Sequence, residues 1–268
     1  MKEHEGPDMN RRQFLRSTAS AAGVAAVSTA LAPIASASGL RNGAYVMPDA
    51  DKYDLLMCRV CDNNPDWDFG PGGDMNFLEE FGQIMRCKVN LIDGVRDGTP
   101  DNGLPQHFNG CVDLSVLESM RRFPVLFMMG TGAYRIPPAR AENLKAYLEE
   151  GGFLLMDECA SPRRADDFYN SALVLLQQMF PPDQIRKIPE DHEVYRNVYD
   201  ISEPNYQRWK RGGMSSPGNT GVFIGDRLAV MLTDADIHCG WIRVVNGRAN
   251  FEEGIKTGIN WYTYALSH

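Results

Sequence analysis

The sequence predicts an α/β fold, a three-layer sandwich with a mostly parallel central sheet, on two observations. Short apolar runs alternate from Tyr53 onward with segments of helical period, the signature of βαβ units. Proline and glycine punctuate the joints between them. The expected strands are residues 53–60, 88–92, 124–129 and 152–157, with 227–232 as a later one. Between the first two, Asp74 is placed to cap a helix whose Phe77, Leu78, Phe81, Ile84 and Met85 share one face. Leu114, Leu117 and Met120 mark a short helix before the third strand. Pro137 and Pro138 then open a helix with Leu144, Tyr147 and Leu148 on its apolar face, and Gly151 closes it where a left-handed residue is wanted. Residues 166–180 carry a stripe of Phe168, Ala172, Leu175, Leu176 and Met179, stopped by Pro181-Pro182. Residues 251–266 read as a closing helix rich in aromatics. Residues 93–110 and 202–221 are rich in Gly, Pro, Asn and Asp and lack a period, so they read as long loops, which often carry function.

The N-terminus has a different character. Asn10-Arg11-Arg12-Gln13-Phe14-Leu15-Arg16 is a twin-arginine pair followed by Phe-Leu and a further base, the pattern of a Tat export signal. Residues 17–35 are mostly alanine and are interrupted by Ser20, Gly23, Ser28, Thr29 and Pro33. That run is too weakly apolar for a membrane span, which needs about 20 predominantly apolar residues. Ala35-Ser36-Ala37 supplies an A-x-A cleavage site. Residues 1–37 are therefore expected to be a signal peptide handled by the Tat translocase, and residues 38–268 a single domain working in the periplasm or another extracytoplasmic compartment. An uncleaved N-terminal anchor is the alternative. The Tat route carries folded proteins, often with a cofactor in place, but nothing in the sequence identifies a cofactor.

Removing Lys2, Arg11, Arg12 and Arg16, with Glu3, Glu5 and Asp8, from 27 basic and 35 acidic side chains leaves 23 and 32, a net charge of −9. No basic stripe remains, which argues against nucleic acid and against an anionic membrane surface. The six cysteines, Cys58, Cys61, Cys87, Cys111, Cys159 and Cys239, all follow the signal, where an oxidising compartment would permit disulfides of undetermined pairing. Cys58 and Cys61 have the spacing of a redox pair, yet they fall in a strand-like run and not at a helix N-terminus. No dinucleotide fingerprint follows the first strand and no P-loop is present, so nicotinamide and nucleoside triphosphate roles lack support. A flavin held by loops without a motif stays open.

Several stretches, in order and spacing, resemble the bacterial family known as domain of unknown function 4159. They are Arg59-Val60 with Trp67-Asp68, Phe123-Pro124-Val125 through Gly130-Thr131-Gly132, Gly151-Gly152-Phe153 through Asp157-Glu158-Cys159, Ile188-Pro189-Glu190-Asp191-His192, and Gly258-Ile259-Asn260 with Tyr264-Ala265-Leu266. Asp234-Ala235-Asp236-Ile237-His238-Cys239-Gly240-Trp241 is similar to the segment after the family's late strand. The resemblance covers about the whole chain beyond the signal. The family in turn looks like the flavodoxin-like domains of glutamine amidotransferases and ThuA-like proteins, which implies a fold and leaves the activity open. In the amidotransferase pattern a glycine-framed nucleophilic Cys ends one strand and a Gly-Gly oxyanion loop ends an earlier one. Here those places hold Asp157-Glu158-Cys159 and Gly130-Thr131-Gly132, without the framing glycines.

Both places would lie at the carboxyl ends of adjacent strands, where open α/β sheets bind ligands. Gly130, Thr131 and Gly132 could present amides and a hydroxyl to a ligand, or simply make the turn. Asp157 is a candidate base, metal ligand or hydroxyl acceptor, or the cap of the helix that follows it. Glu158 reads as a solvated or supporting neighbour. Cys159 is a candidate nucleophile if a cation or imidazole is near, or otherwise an inert buried thiol. His192, beside Asp191, is a candidate base or metal ligand, or a histidine that fixes its loop. On an extended segment Asp234, Asp236 and His238 would face one way and could hold a cation. Three functions are compatible with these residues. One is an exported module that binds a small polar ligand or a protein partner in a crevice of Gly130, Thr131, Gly132, Asp157, His192 and Asp236. Another is a hydrolase of polar, including carbohydrate, substrates using Asp157 or Cys159 with His192. The third is a metal-dependent site of Asp157, Asp234, Asp236 and His192 or His238.

Overall fold

The structure, a computed structural model, describes residues 54–55, 57–61, 71–89, 111–159, 166–201 and 218–268. The expected signal, all of the long loop at 93–110, residues 202–217 of the other, and Trp67-Asp68 lie outside the described residues.

Among the described residues seven strands form one sheet in the order β2-β1-β3-β4-β7-β6-β5. They are β1 (Met57–Val60), β2 (Cys111–Val112), β3 (Val125–Gly130), β4 (Phe153–Glu158), β5 (Ile185–Lys187), β6 (Thr220–Ile224) and β7 (Arg227–Thr233). The helices are α1 (Pro71–Met85), α2 (Leu117–Met120), α3 (Pro138–Glu149), α4 (Asp167–Met179), α5 (Ile237–Gly240) and α6 (Arg243–Ser267). The run β2-β1-β3-β4-β7 is parallel throughout and has the flavodoxin-like order, with its switch point between β1 and β3. The expected α/β sandwich is therefore the observed one. Beyond β7 the sheet turns antiparallel: β6 pairs with β7, and β5 with β6.

Both faces of the sheet are covered, so its strands read as nearly continuous apolar runs. Alternate residues feed two cores. Met57, Val125, Phe127, Phe153 and Leu155 pack with Phe77, Trp241, Ile259 and Trp261 from α1, α6 and the turn after α5. Cys58, Leu126, Met128, Leu154 and Met156 pack with Leu144, Tyr147, Phe168 and Leu176 from α3 and α4. No helix among the described residues is long and apolar enough to cross a membrane.

Several expected elements are corrected. The strand expected at residues 88–92 is, in its described part, a single parallel bridge from Val89 to Leu55, while the carboxyl end of β1 is flanked by β2. Asp74 does not cap its helix from outside, since α1 begins at Pro71 and places Asp74 in its first turn. The helix expected at 251–266 begins at Arg243. Thr220 and Gly221, assigned to a loop, belong to β6, and β5 has no counterpart in the expected strands. By contrast, Pro138 starts α3 and Gly151, at φ 111°, follows it as anticipated.

Candidate functional site

The carboxyl ends of β3, β4 and β7 place Gly130, Asp157, Glu158 and Thr233 side by side. Gly130 pairs with Glu158 and Thr233 with Asp157. Successive residues on β4 point to opposite faces, so Asp157 and Glu158 have different neighbours. Asp157 is fully buried, and its two carboxylate oxygens accept from the backbone N–H groups of Ile237 (3.1 Å) and His238 (2.9 Å). It thus holds the start of α5, not the helix that follows it in sequence. Burial, then the nearby Asp236, pushes the Asp157 carboxyl well above its ordinary range, and the two N–H donors offset part of that. Glu158 is buried, not solvated, and its Oε2 accepts from Tyr169 N at 2.6 Å, within the first turn of α4. Its Oε1 is buried without a hydrogen-bond partner, and burial raises its pKa to about 8 despite that donor.

Cys159 follows β4, its N–H donating to Gly130 O at 2.9 Å. Its thiol faces that of Cys239, Sγ to Sγ 3.8 Å, and both residues are buried. The Asp236 carboxylate completes the group: one oxygen and the two sulfurs lie within 4.8 Å of one another. Asp236 has left-handed backbone (φ 55°, ψ 43°) and precedes the single turn of α5. That turn breaks the comb expected of Asp234, Asp236 and His238 on an extended segment. Asp236 joins the thiols, while the His238 imidazole goes elsewhere. The Cys239 thiol is raised above its ordinary range by its bond to Cys159, by burial and by Asp236.

His238 enters a buried ion-pair network that the sequence did not single out. Arg59, near the end of β1, donates from Nε to Asp74 Oδ2 (2.7 Å) and from Nη2 to Asp74 Oδ1 (2.8 Å). His238 Nε2 lies 2.8 Å from Arg59 Nη2 and 3.3 Å from Asp74 Oδ1. Burial alone would raise the Asp74 carboxyl, but the Arg59 guanidinium and His238 outweigh it and hold the pKa below the usual value. The ring of Phe127 lies 5.7 Å from the guanidinium carbon. Gly73 is required beside this network, because a Cβ there would sit 2.9 Å from His238 Nε2. The available signal was an arginine inside an apolar strand, since a buried charge demands a partner.

The structure does not bring His192 to this place. His192 caps the 3-10 turn Glu193–Tyr195, its Nδ1 accepting from Val194 N at 3.2 Å. Its ring packs 5.3 Å from that of Tyr264 and 5.8 Å from that of Phe223. Tyr264 Oη accepts from Leu228 N at the amino end of β7, whereas Asp157 pairs with Thr233 at the other end. At about 3.3 Å per residue those ends are about 17 Å apart. The constellation expected of Asp157, Cys159 and His192 is therefore not assembled, and burial keeps the His192 pKa below its ordinary value. Gly130 is fixed by packing, since a Cβ would meet the Phe168 ring at 2.6 Å. Thr131 and Gly132 follow it, half-buried, at the carboxyl edge. Cys58 and Cys61 lie on and just after β1, and burial raises the Cys58 thiol, the opposite of an activated redox cysteine. Among the described residues, Cys58, Cys61, Cys87, Cys159 and Cys239 are not joined in disulfides.

Residues 109–266 match the profile of a family described as a domain of unknown function (DUF4159). The match starts just before β2 and takes in the carboxyl ends of β3, β4 and β7, but Arg59 and Asp74 precede it. No curated protein matches the chain.

Proposed function

From the premise that the chain belongs to the DUF4159 family, which carries a fold and no assigned activity, we propose that it is an exported binding or accessory module. Its fold is read as that of the amidotransferase and ThuA-like superfamily. It recognises a small polar ligand or a protein partner at the carboxyl ends of β3, β4 and β7, outside the cytoplasm. The observation that supports a module over a hydrolase is the environment of Cys159. Its thiol faces the Cys239 thiol, and His192 sits at the opposite end of the sheet. A nucleophilic cysteine needs an imidazole or cation to lower its pKa, together with an oxyanion site. The acids Asp157 and Glu158 are engaged with backbone donors of α5 and α4.

The test is an activity screen of the exported form on amide, ester and glycoside panels, beside Cys159→Ala and His192→Ala. Any background rate is expected to be equal in all three proteins. A rate abolished in either variant would replace the module with a hydrolase. The export part is tested by the N-terminus of the protein recovered outside the cytoplasm. Ser38 is expected as the first residue, whereas Met1 would mark a retained anchor.

A further inference from the structure

We propose that Cys159, Asp236 and Cys239 form a binding site for a thiophilic divalent cation of the zinc class. The inference rests on reading this end of the sheet as the ligand site, and it gives that site a specific occupant. Its three side chains come from two places in the fold. Cys159 leaves the end of β4, while Asp236 and Cys239 are three residues apart across the turn of α5, a spacing that puts both on one side. The ligand atoms converge within 4.8 Å of one another.

The sulfur separation argues for a metal over a disulfide. A disulfide holds its sulfurs about 2.05 Å apart. Two thiolates each about 2.3 Å from a tetrahedral ion lie about 3.8 Å apart. The observed Sγ to Sγ distance is 3.8 Å. Two thiolates with one carboxylate favour zinc-class ions, whereas magnesium and calcium prefer all-oxygen shells. Asp236 is 1% exposed and turns a carboxylate oxygen toward the two sulfurs. A carboxylate at that depth is stabilised by a cation beside it. Three protein ligands leave a fourth tetrahedral position for water or an atom of a bound molecule, as at zinc sites that do more than hold a fold. Binding as thiolates releases the two thiol protons to solvent.

The full chain, purified under reducing conditions without chelator, is assayed for metal by mass spectrometry. It is then stripped and titrated with Zn²⁺, and separately with Co²⁺ as an optical probe. One equivalent of zinc per chain is expected, together with a thiolate-to-cobalt charge-transfer band. Both are lost in Cys159→Ser and in Cys239→Ser, and zinc affinity falls at least tenfold in Asp236→Asn, which keeps the side-chain volume if a cysteine variant fails to fold. Cys58→Ser is the control and retains both signals. Failure to bind zinc, with both thiols freely alkylated in its presence, would overturn the site. So would a Cys159–Cys239 disulfide in the reduced-purified protein. The two readings fail separately. A small-molecule ligand bound without metal leaves the module standing and removes the cation, whereas hydrolysis that requires the bound zinc keeps the cation and removes the module.

Discussion

Asp157 and Glu158, neighbours on β4, hold the first turns of helices on opposite faces of the sheet: Asp157 accepts from Ile237 and His238 of α5, and Glu158 from Tyr169 of α4. An acidic pair that resembles a reaction centre in sequence is thus built into the framework at the carboxyl end of β4. The helix macrodipole and the unsatisfied N–H groups of a first turn make these favourable places for carboxyl oxygens.

Asp157→Ala leaves two buried backbone donors without acceptors, and each such group costs about 1–3 kcal/mol. A loss of several kcal/mol is expected in urea unfolding, with faster amide exchange at Ile237 and His238. Asp157→Asn keeps one acceptor oxygen and should lose less than half as much. Equal losses in both variants would deny the capping role.

Glu158 gives stability a pH dependence of definite sign. Its folded pKa, about 8, lies above the ordinary glutamate value of 4.5, so the folded state holds the proton more tightly. Its contribution is fully present below about pH 4.5 and is lost as pH rises through about 8. Glu158→Gln mimics the protonated form and should flatten the fall in unfolding midpoint between pH 5 and about 8. An unchanged slope would assign the titration to another group.

Arg59 and Asp74 exclude water from a buried pair, and removing one partner strands the other. Arg59→Met should cost about 3–5 kcal/mol, whereas Arg59→Met with Asp74→Leu should recover much of that. A double-mutant cycle in chemical denaturation measures the difference. The Asp74 pKa is held down, so its contribution is present above the ordinary carboxyl value near 3.8 and disappears as pH falls through the lower folded value.

Gly130 is a packing position. Gly130→Ala drives a methyl group against the Phe168 ring and should cost about 1–3 kcal/mol by overpacking. Phe168→Leu in the same chain should return part of the lost melting temperature by making room. If Gly130→Ala melts like the parent, the close approach to Phe168 is relieved at no cost.

Legibility followed the range of the interaction that decides each element. α3 could be read because Pro138 and Gly151 act through the backbone within one helix. β6 and β7 are joined by a two-residue turn at Gly225-Asp226, with Gly225 at φ 63°, yet the apolar run of β6 is short and follows a glycine-rich stretch. The site was harder. Cys159 and Cys239 are 80 residues apart and Arg59 and His238 are 179 apart, so no local pattern records their meeting. His192 shows the converse: Asp191 beside it suggested chemistry, and the ring nitrogen instead closes a turn on Val194. The alternation of Asp234, Asp236 and His238 assumed extended backbone, and the left-handed residue at Asp236 sends Asp236 and His238 to different partners.

Both borders of the sheet are short, two residues in β2 and three in β5, and β5 carries exposed Arg186 and Lys187. The Arg186 guanidinium covers the Phe223 ring at 3.8 Å. Brief borders, positively charged at β5, offer a poor template for a strand from another molecule. In a crowded compartment the chain is thereby guarded against edge-to-edge aggregation, and Arg186→Val with Lys187→Val would remove that guard without touching the carboxyl ends of β4 and β7.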